Sequence, residues 1–279
     1  LWPQWLHQLG CPQHFHQHGS LVLAHPNDAA ELQQFQQDLT RKLSECANDD
    51  ILADIKSLAN RQDLAQLEPA LSQQFNNGFY LPLEAHIDHD EVLAALVSEA
   101  KQLGVCYNEG CPLDPDDAAL KDYDLIFDCR GMGLQTAPST ACDLRGVRGE
   151  IIRIECKDLV LTRPIRIMHP RYKLYVVPKP NQQFVIGATE IESEDRSPVS
   201  VRSAMELMSA LYAINPAFAE ARIVSQESNL RPAYMNNLPR IDTLLSKYQK
   251  PIIRINGLYR HGYLAGPAVI EQALEQAFL

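Results

Sequence analysis

Apolar positions along this chain fall at two spacings, and the switches between them mark its elements. Residues 1–9 predict a short amphipathic helix, and residues 20–24 form a continuous apolar run that reads as a strand. From 29 to 46 the apolar residues Leu32, Phe35, Leu39 and Leu43 share one helical face, with Asn27 or Asp28 as cap. Residues 51–71 are helical in parts and stand just before Gly78-Phe79-Tyr80-Leu81. A stripe of Val92, Leu93, Leu96, Val97 and Ala100 predicts a helix over 88–103, ended by Gly104. Residues 105–107 then read as a strand and 109–117 as a loop rich in proline and aspartate. A further strand, 123–129, runs into Arg130-Gly131-Met132-Gly133.

After residue 145 the pattern alternates. Within 149–154, Ile152 and Ile154 face one way. Strands at 172–177 and 184–189 flank the turn-forming segment 178–183 and predict a hairpin. Residues 199–212 predict a helix capped by Ser197 with Pro198 at its first position, and 222–230 returns as a strand. The last unit is the strand 252–255, a glycine-rich turn over 256–267, and a helix from 268 carrying Val269, Ile270, Ala273, Leu274 and Ala277. The fold class expected is α/β plus α+β: an antiparallel α+β block inserted before a final strand–turn–helix, in two interleaved domains. The strand 252–255 is expected in a separate sheet, beside 125–129.

Composition narrows the function classes. With 279 residues, 46% hydrophobic and 22% charged, the chain is that of a soluble globular protein. A net charge of −10 argues against nucleic acid as a partner. No run of eighteen apolar residues suggests a membrane helix, and no signal peptide is evident. The seven cysteines are dispersed without a CxxC pair, which points to reduced thiols and a cytoplasmic location. His14, His16 and His18 alternate along one strand face. Without an acidic or cysteine neighbour in the sequence they read as a solvated face, and no metal is expected.

Three residues stand where structure alone does not ask for them. Arg231 ends a strand before Pro232, which biases its backbone to an extended conformation. Arg260 lies inside the glycine-rich turn, and Tyr175 in mid-strand. A guanidinium grips a carboxylate with two parallel hydrogen bonds, and a phenol adds a third. Taken singly, each arginine also suits a surface ion pair. Taken alone, the strand–turn–helix also suits an ordinary crossover.

Six stretches occur in order along the chain: Asp128-Cys129-Arg130-Gly131, Val147-Arg148-Gly149-Glu150, Tyr175-Val176-Val177-Pro178, Ile186-Gly187-Ala188-Thr189-Glu190, Leu230-Arg231-Pro232 and Gly257 to Leu264. Together the chain resembles the FAD-dependent amino-acid oxidase family, and most of all its glycine oxidase branch of thiamine biosynthesis. The likeness covers essentially the whole chain. It implies a Rossmann-type FAD-binding domain over 84–146 and 229–279, and an antiparallel-sheet substrate domain over 1–83 and 147–228. The family's opening strand with GxGxxG is absent here, so weak FAD binding or none by this chain alone is expected, with a separate or missing N-terminal FAD-binding segment.

The resemblance further implies roles for individual residues. Arg231 resembles the arginine that binds the substrate carboxylate, Tyr175 the tyrosine that assists it, and Arg260 a second substrate-proximal arginine. Leu258, Tyr259, Arg260, His261, Gly262, Tyr263 and Leu264 resemble the segment that meets the flavin ring. Leu113, Arg130 and Gly131 resemble further FAD contacts, Leu113 at the adenine. Glu190 is an acid where other glycine oxidases can carry an apolar residue. Beside a substrate amine it favours the cationic form, and the alternative is a solvated strand end. The implied reaction is hydride transfer from the Cα of a small amino acid to flavin N5, with oxygen as acceptor. The alternatives are a secondary or D-amino acid as substrate, an aminomethyl group on tRNA (which the acidic charge disfavours), or a fragment that binds a carboxylate or a partner without flavin. Homo-oligomerisation is left open.

Overall fold

A computed structural model describes residues 1–45, 54–136, 143–169 and 174–278. In chain order its elements are α1 (Trp2–Gln8), β1 (Phe15–His16), β2 (Ser20–Ala24), α2 (Ala29–Glu45), β3 (Lys56–Leu58), α3 (Arg61–Leu67), β4 (Gly78–Leu81), β5 (His86–Ile87), α4 (His89–Gln102), β6 (Ile126–Asp128), β7 (Arg145–Glu155), β8 (Ile165–Met168), β9 (Leu174–Lys179), β10 (Gln183–Gly187), α5 (Val201–Ile214), β11 (Arg222–Ala233), β12 (Arg240–Leu245), β13 (Pro251–Asn256) and α6 (Gly262–Phe278). The expected ends at Cys46, residues 51–53, residues 172–173 and Leu279 lie outside the described residues.

An eight-stranded sheet runs in the order β11-β7-β10-β9-β8-β2-β4-β3. Its pairings are antiparallel except for β2 with β8. Alternation sorts its residues. One face carries Leu21, Leu23, Ile152, Ile154, Ile165, Leu174, Val176, Phe184 and Ile186 into a core closed by Leu207, Leu211 and Ile214 of α5. That burial is the dominant stabilising term of the sheet. On the other face α2 covers only the β2–β4 end, through Leu32, Phe35 and Leu39 against Val22, Ala24, Phe79 and Leu81. The β11-β7-β10-β9 end of that second face is where the site lies.

The hairpin β9–β10 turns through Asn181 and Gln182, both at positive φ. A separate three-stranded sheet, β12-β13-β6, sets Ile252 to Arg254 parallel to Ile126 to Asp128. Its core residues Ile253 and Ile255 pack on Ala273 of α6. The expected separation of 252–255 from the hairpin sheet is therefore observed, and the mixed helix and sheet class with it. No helix among the described residues is long and apolar enough to cross a membrane.

Four expectations are corrected. Residues 105–107 form no strand: Val105 and Tyr107 are exposed and no strand pairs alongside, and a strand exists only through its partner. The strand expected at 123–129 shrinks to β6, the stretch that pairs with β13. Helix α5 is capped by Ser200, whose hydroxyl accepts the Ser203 amide at 3.1 Å. Ser197 instead donates its hydroxyl to Asp195 at 2.7 Å. Helix α6 begins at Gly262, before Pro267 rather than after it. Proline has no N–H for the carbonyl four residues back. That carbonyl, of Tyr263, accepts the Trp2 indole N–H of α1, so the break in the ladder is satisfied from outside.

Candidate active site

Two glycines leave the sheet floor bare where two side chains lie across it. Gly149 of β7 sits beneath the Arg231 guanidinium, and a Cβ there would lie 2.2 Å from its central carbon. Gly187 of β10 faces Tyr175 across the β9–β10 register, and its Cβ would lie 2.7 Å from the phenol oxygen. Only glycine permits such approaches. Arg231 Nη1 donates to the carbonyls of Thr189 at 3.1 Å and Arg148 at 3.4 Å. The Nε and Nη2 groups donate to no protein acceptor among the described residues. Burial lowers the Arg231 pKa, the Tyr175 phenol opposes this and Arg260 adds to it; arginine stays charged throughout. Burial also raises the Tyr175 phenol, against the pull of Arg231 and Arg260, so it is a neutral hydrogen-bond donor.

The glycine-rich turn is fastened onto this floor from one side. The Tyr259 amide donates to the Pro232 carbonyl at 3.1 Å, which sets Arg260 beside the residue following Arg231. Gly257 has φ +76°, and its Cα lies under the Tyr234 ring. Glu190 accepts hydrogen bonds from the Tyr259 hydroxyl and from Arg260 Nη1. Burial together with the Glu190 hydrogen bond and charge pushes the Tyr259 phenol up to about 12. Tyr175, Arg231, Arg260, Tyr259 and Glu190 thus form one cluster drawn from β9, the β11 end, the segment after β10 and the turn. Glu190 is an exposed residue just past β10, and there it clamps Tyr259 and Arg260.

Leu258 to Leu264 leads from this cluster into the first turn of α6. The first amides of a helix have no acceptor within it, and here they belong to Gly262, Tyr263 and Leu264. Gly262 faces open space, and Leu264 and Tyr263 are exposed. Unsatisfied N–H groups beside apolar side chains fit the electron-rich edge and flat face of a flavin ring. His261 adds its amide to the Leu258 carbonyl at 2.8 Å, which tightens the turn. Arg130 is engaged elsewhere: it grips Asp128 with Nε at 2.8 Å and Nη2 at 3.0 Å, and Asp114 with Nη1 at 3.0 Å. Its side chain is therefore a clip between β6 and the loop that carries Leu113. The Gly131 carbonyl accepts the Asn256 side-chain Nδ2 at 3.0 Å. Asp114, next to Leu113, is thus tied to Arg130, and Gly131 is joined to the turn through the Asn256 side chain.

A supporting pair escaped the sequence reading. Arg148 and Glu150 are buried, with Arg148 donating to Glu150 Oε1 through Nε at 3.0 Å and Nη2 at 2.7 Å. Glu150 also accepts from the Thr189 hydroxyl at 3.1 Å and the Ser200 amide at 3.3 Å. Burial opposes ionisation of Glu150, but hydrogen bonds from Ser203, Arg148, Ser200 and Thr189 outweigh it and hold the pKa down. The pair fixes Thr189, whose carbonyl holds Arg231. The available signal was parity: Glu150 shares the strand face of Ile152 and Ile154, where a charge requires a partner.

Comparison with known proteins follows this geometry. The family model described as FAD dependent oxidoreductase, DAO, matches residues 1–274. A protein of Rhizobium etli described as a thiamine biosynthesis oxidoreductase, ThiO, is 37% identical over 259 residues, covering 92% of this chain and 71% of that protein. Glycine oxidase from Geobacillus kaustophilus superposes with a TM-score of 0.78 at 20% identity, over 99% of this chain and 76% of that one. Iminodiacetate oxidase from Chelativorans superposes at 0.73 with 18% identity, over 96% and 75%. At these identities the two structures speak for the fold.

Proposed function

The chain belongs to the family of FAD-dependent oxidoreductases, and on that premise we propose that it oxidises glycine or a similarly small amino acid, with oxygen as acceptor, in the formation of the thiamine thiazole. The thiamine role rests on the Rhizobium etli relative. One observation carries the substrate class: the Arg231 guanidinium lies flat on Gly149 with Nη1 tied to two carbonyls and its remaining edge open. A fork so held is preorganised for a carboxylate. Tyr175, neutral and donating, supplies the third hydrogen bond. Arg260 adds positive charge, and its clamp by Glu190 keeps it from collapsing onto the carboxylate site.

When bound, FAD would supply the redox chemistry, as acceptor of the substrate Cα hydride and donor of electrons to oxygen. Leu258 to Leu264 would hold the flavin ring, with the amides of Gly262, Tyr263 and Leu264 favouring negative charge at its edge. Arg231 and Tyr175 fix the carboxylate and so aim the Cα–H bond. We also propose that residues 84–146 and 229–279 form the FAD-binding unit, and 1–83 and 147–228 the substrate unit. The three-stranded sheet, drawn wholly from the first set, supports that division.

The test is peroxide production by the FAD-loaded enzyme with glycine, sarcosine, a D-amino acid and an uncharged primary amine. Glycine or sarcosine is expected to give the highest kcat/KM, and the amine without a carboxylate little turnover. Preference for a larger D-amino acid would replace the substrate, and equal turnover of the uncharged amine would overturn the carboxylate grip.

A further inference from the structure

We infer that His16, His86 and Asp88 form a binding site for a divalent transition-metal ion of the zinc class, separate from the carboxylate grip. Strands β1 and β5 pair antiparallel and set His16 directly opposite His86. Their rings stack with centroids 4.8 Å apart. Asp88 follows β5 and is 95% buried, with a relative exposure of 5%. One donor atom from each residue lies within 4.8 Å of the other two, so small side-chain rotations bring all three to the spacing of metal ligands.

Two atoms of this cluster ask for a ligand. Asp88 Oδ2 accepts from His16 Nε2 at 2.8 Å and stands 3.3 Å from His14 Nδ1. Asp88 Oδ1 and His86 Nδ1 are both buried and make no hydrogen bond. Unsatisfied buried polar atoms are costly and rare. The Lys179 ammonium stands 3.5 Å from Asp88 Oδ1 and is tied also to the Ile87 carbonyl. It compensates the carboxylate charge and is the cation that a metal ion displaces. Two imidazoles and a carboxylate are the donor set of zinc-class ions, and three protein ligands leave a position for water. On binding, His16 Nε2 exchanges its hydrogen bond with Asp88 for the metal, and the proton it carried there passes through solvent to Nδ1.

The experiment is titration of the untagged, metal-stripped protein with Zn²⁺ by calorimetry and with Co²⁺ by visible absorption. One equivalent per chain is expected, with Co²⁺ ligand-field bands. His86→Ala and His16→Gln should each weaken binding by about tenfold or more, as even loss of a supporting contact costs about tenfold. His7→Ala, on the exposed side of α1, should leave it unchanged. Lys179→Met should tighten binding, since the competing ammonium is gone. Circular dichroism verifies that each variant is folded, and if one histidine variant is not, the other and Lys179→Met decide. Absence of saturable binding near one equivalent, binding indifferent to the histidine variant that folds, or Lys179→Met weakening it would overturn the site.

Discussion

Strand β9 carries a member of each of two polar clusters, and the clusters are held in opposite ways. Tyr175 and Lys179 are four residues apart, so they project from the same face of the sheet. At Tyr175 the neighbouring guanidinium is fixed by backbone carbonyls, over glycines that open the floor. At Lys179 one anchor is the Ile87 carbonyl, but the charged and ring neighbours are the side chains of Asp88, His16 and His86, and the buried Asp88 Oδ1 and His86 Nδ1 make no hydrogen bond. Backbone carbonyls move only with the strands that carry them, so the first cluster has one geometry ready for one kind of ligand. Side-chain ligands adjust, so the second is suited to closing around an ion. Rigidity and adaptability here follow from which part of the chain supplies the partners.

The largest test of this contrast is Arg231→Ala. Truncating one partner of a buried, charge-assisted pair costs about 2–5 kcal/mol, so in an enzyme that also carries the FAD diphosphate-binding segment kcat/KM on glycine should fall roughly 30- to several-thousand-fold, with FAD content largely intact. Arg231→Lys should recover part of the loss, because an ammonium cannot reproduce the fork. An equal loss on an uncharged amine would pass the anchoring role to Arg260.

Gly149→Ala tests the floor itself. The new methyl would meet the guanidinium carbon at 2.2 Å and lift a flexible side chain, not the backbone. A misplacement near 1 Å costs up to about 10²-fold, so a roughly ten- to hundredfold loss of kcat/KM is expected with little change in melting temperature. A large fall in melting temperature with KM unchanged would show that Gly149 serves packing instead.

Acid should reach the second cluster first. Burial, with help from Lys179, His16 and His18 and against Asp88, lowers the His86 pKa to about 4. A depressed folded-state value means that this contribution is full above pH 6.5 and is lost as pH falls toward about 4. Metal-free protein should therefore lose melting temperature over that window, and His86→Ala should flatten the profile; an identical slope in the variant would remove His86 from the account.

The smallest effect is expected at the clamp. Glu190→Gln removes the charge that helps to push the Tyr259 phenol up to about 12, so tyrosinate absorbance should show it titrating nearer the ordinary phenol value. Stability from the neutral phenol is present below about pH 10 and is lost as pH rises toward about 12, and the variant should move that upper limit down. An exposed ion pair contributes at most about 1 kcal/mol, so glycine turnover should change by less than about fivefold. A larger loss would mean that Glu190 touches the substrate.

What the chain determined by itself is local. The run 20–24, the alternation around Ile152 and Ile154, the helical stripes of α2 and α4 and the strand 252–255 were all legible, because apolar spacing of 2 or 3.6 residues is written in neighbouring positions. Arg231, Tyr175 and Arg260 were legible as candidates because their chemistry exceeds what a strand or turn needs. Tertiary structure decided the rest. Whether 105–107 became a strand depended on a partner, and whether α6 could begin before Pro267 depended on Trp2 reaching the orphaned carbonyl of Tyr263. His14, His16 and His18 lacked an acidic neighbour in the sequence, yet Asp88 lies 2.8 Å from His16 across 72 residues. Likewise the floor beneath Arg231 and Tyr175 exists only once β7, β10 and β9 are in register. Periodicity reports which face of an element is buried, while ligand spacing is set by long-range pairing, which adjacent residues do not encode.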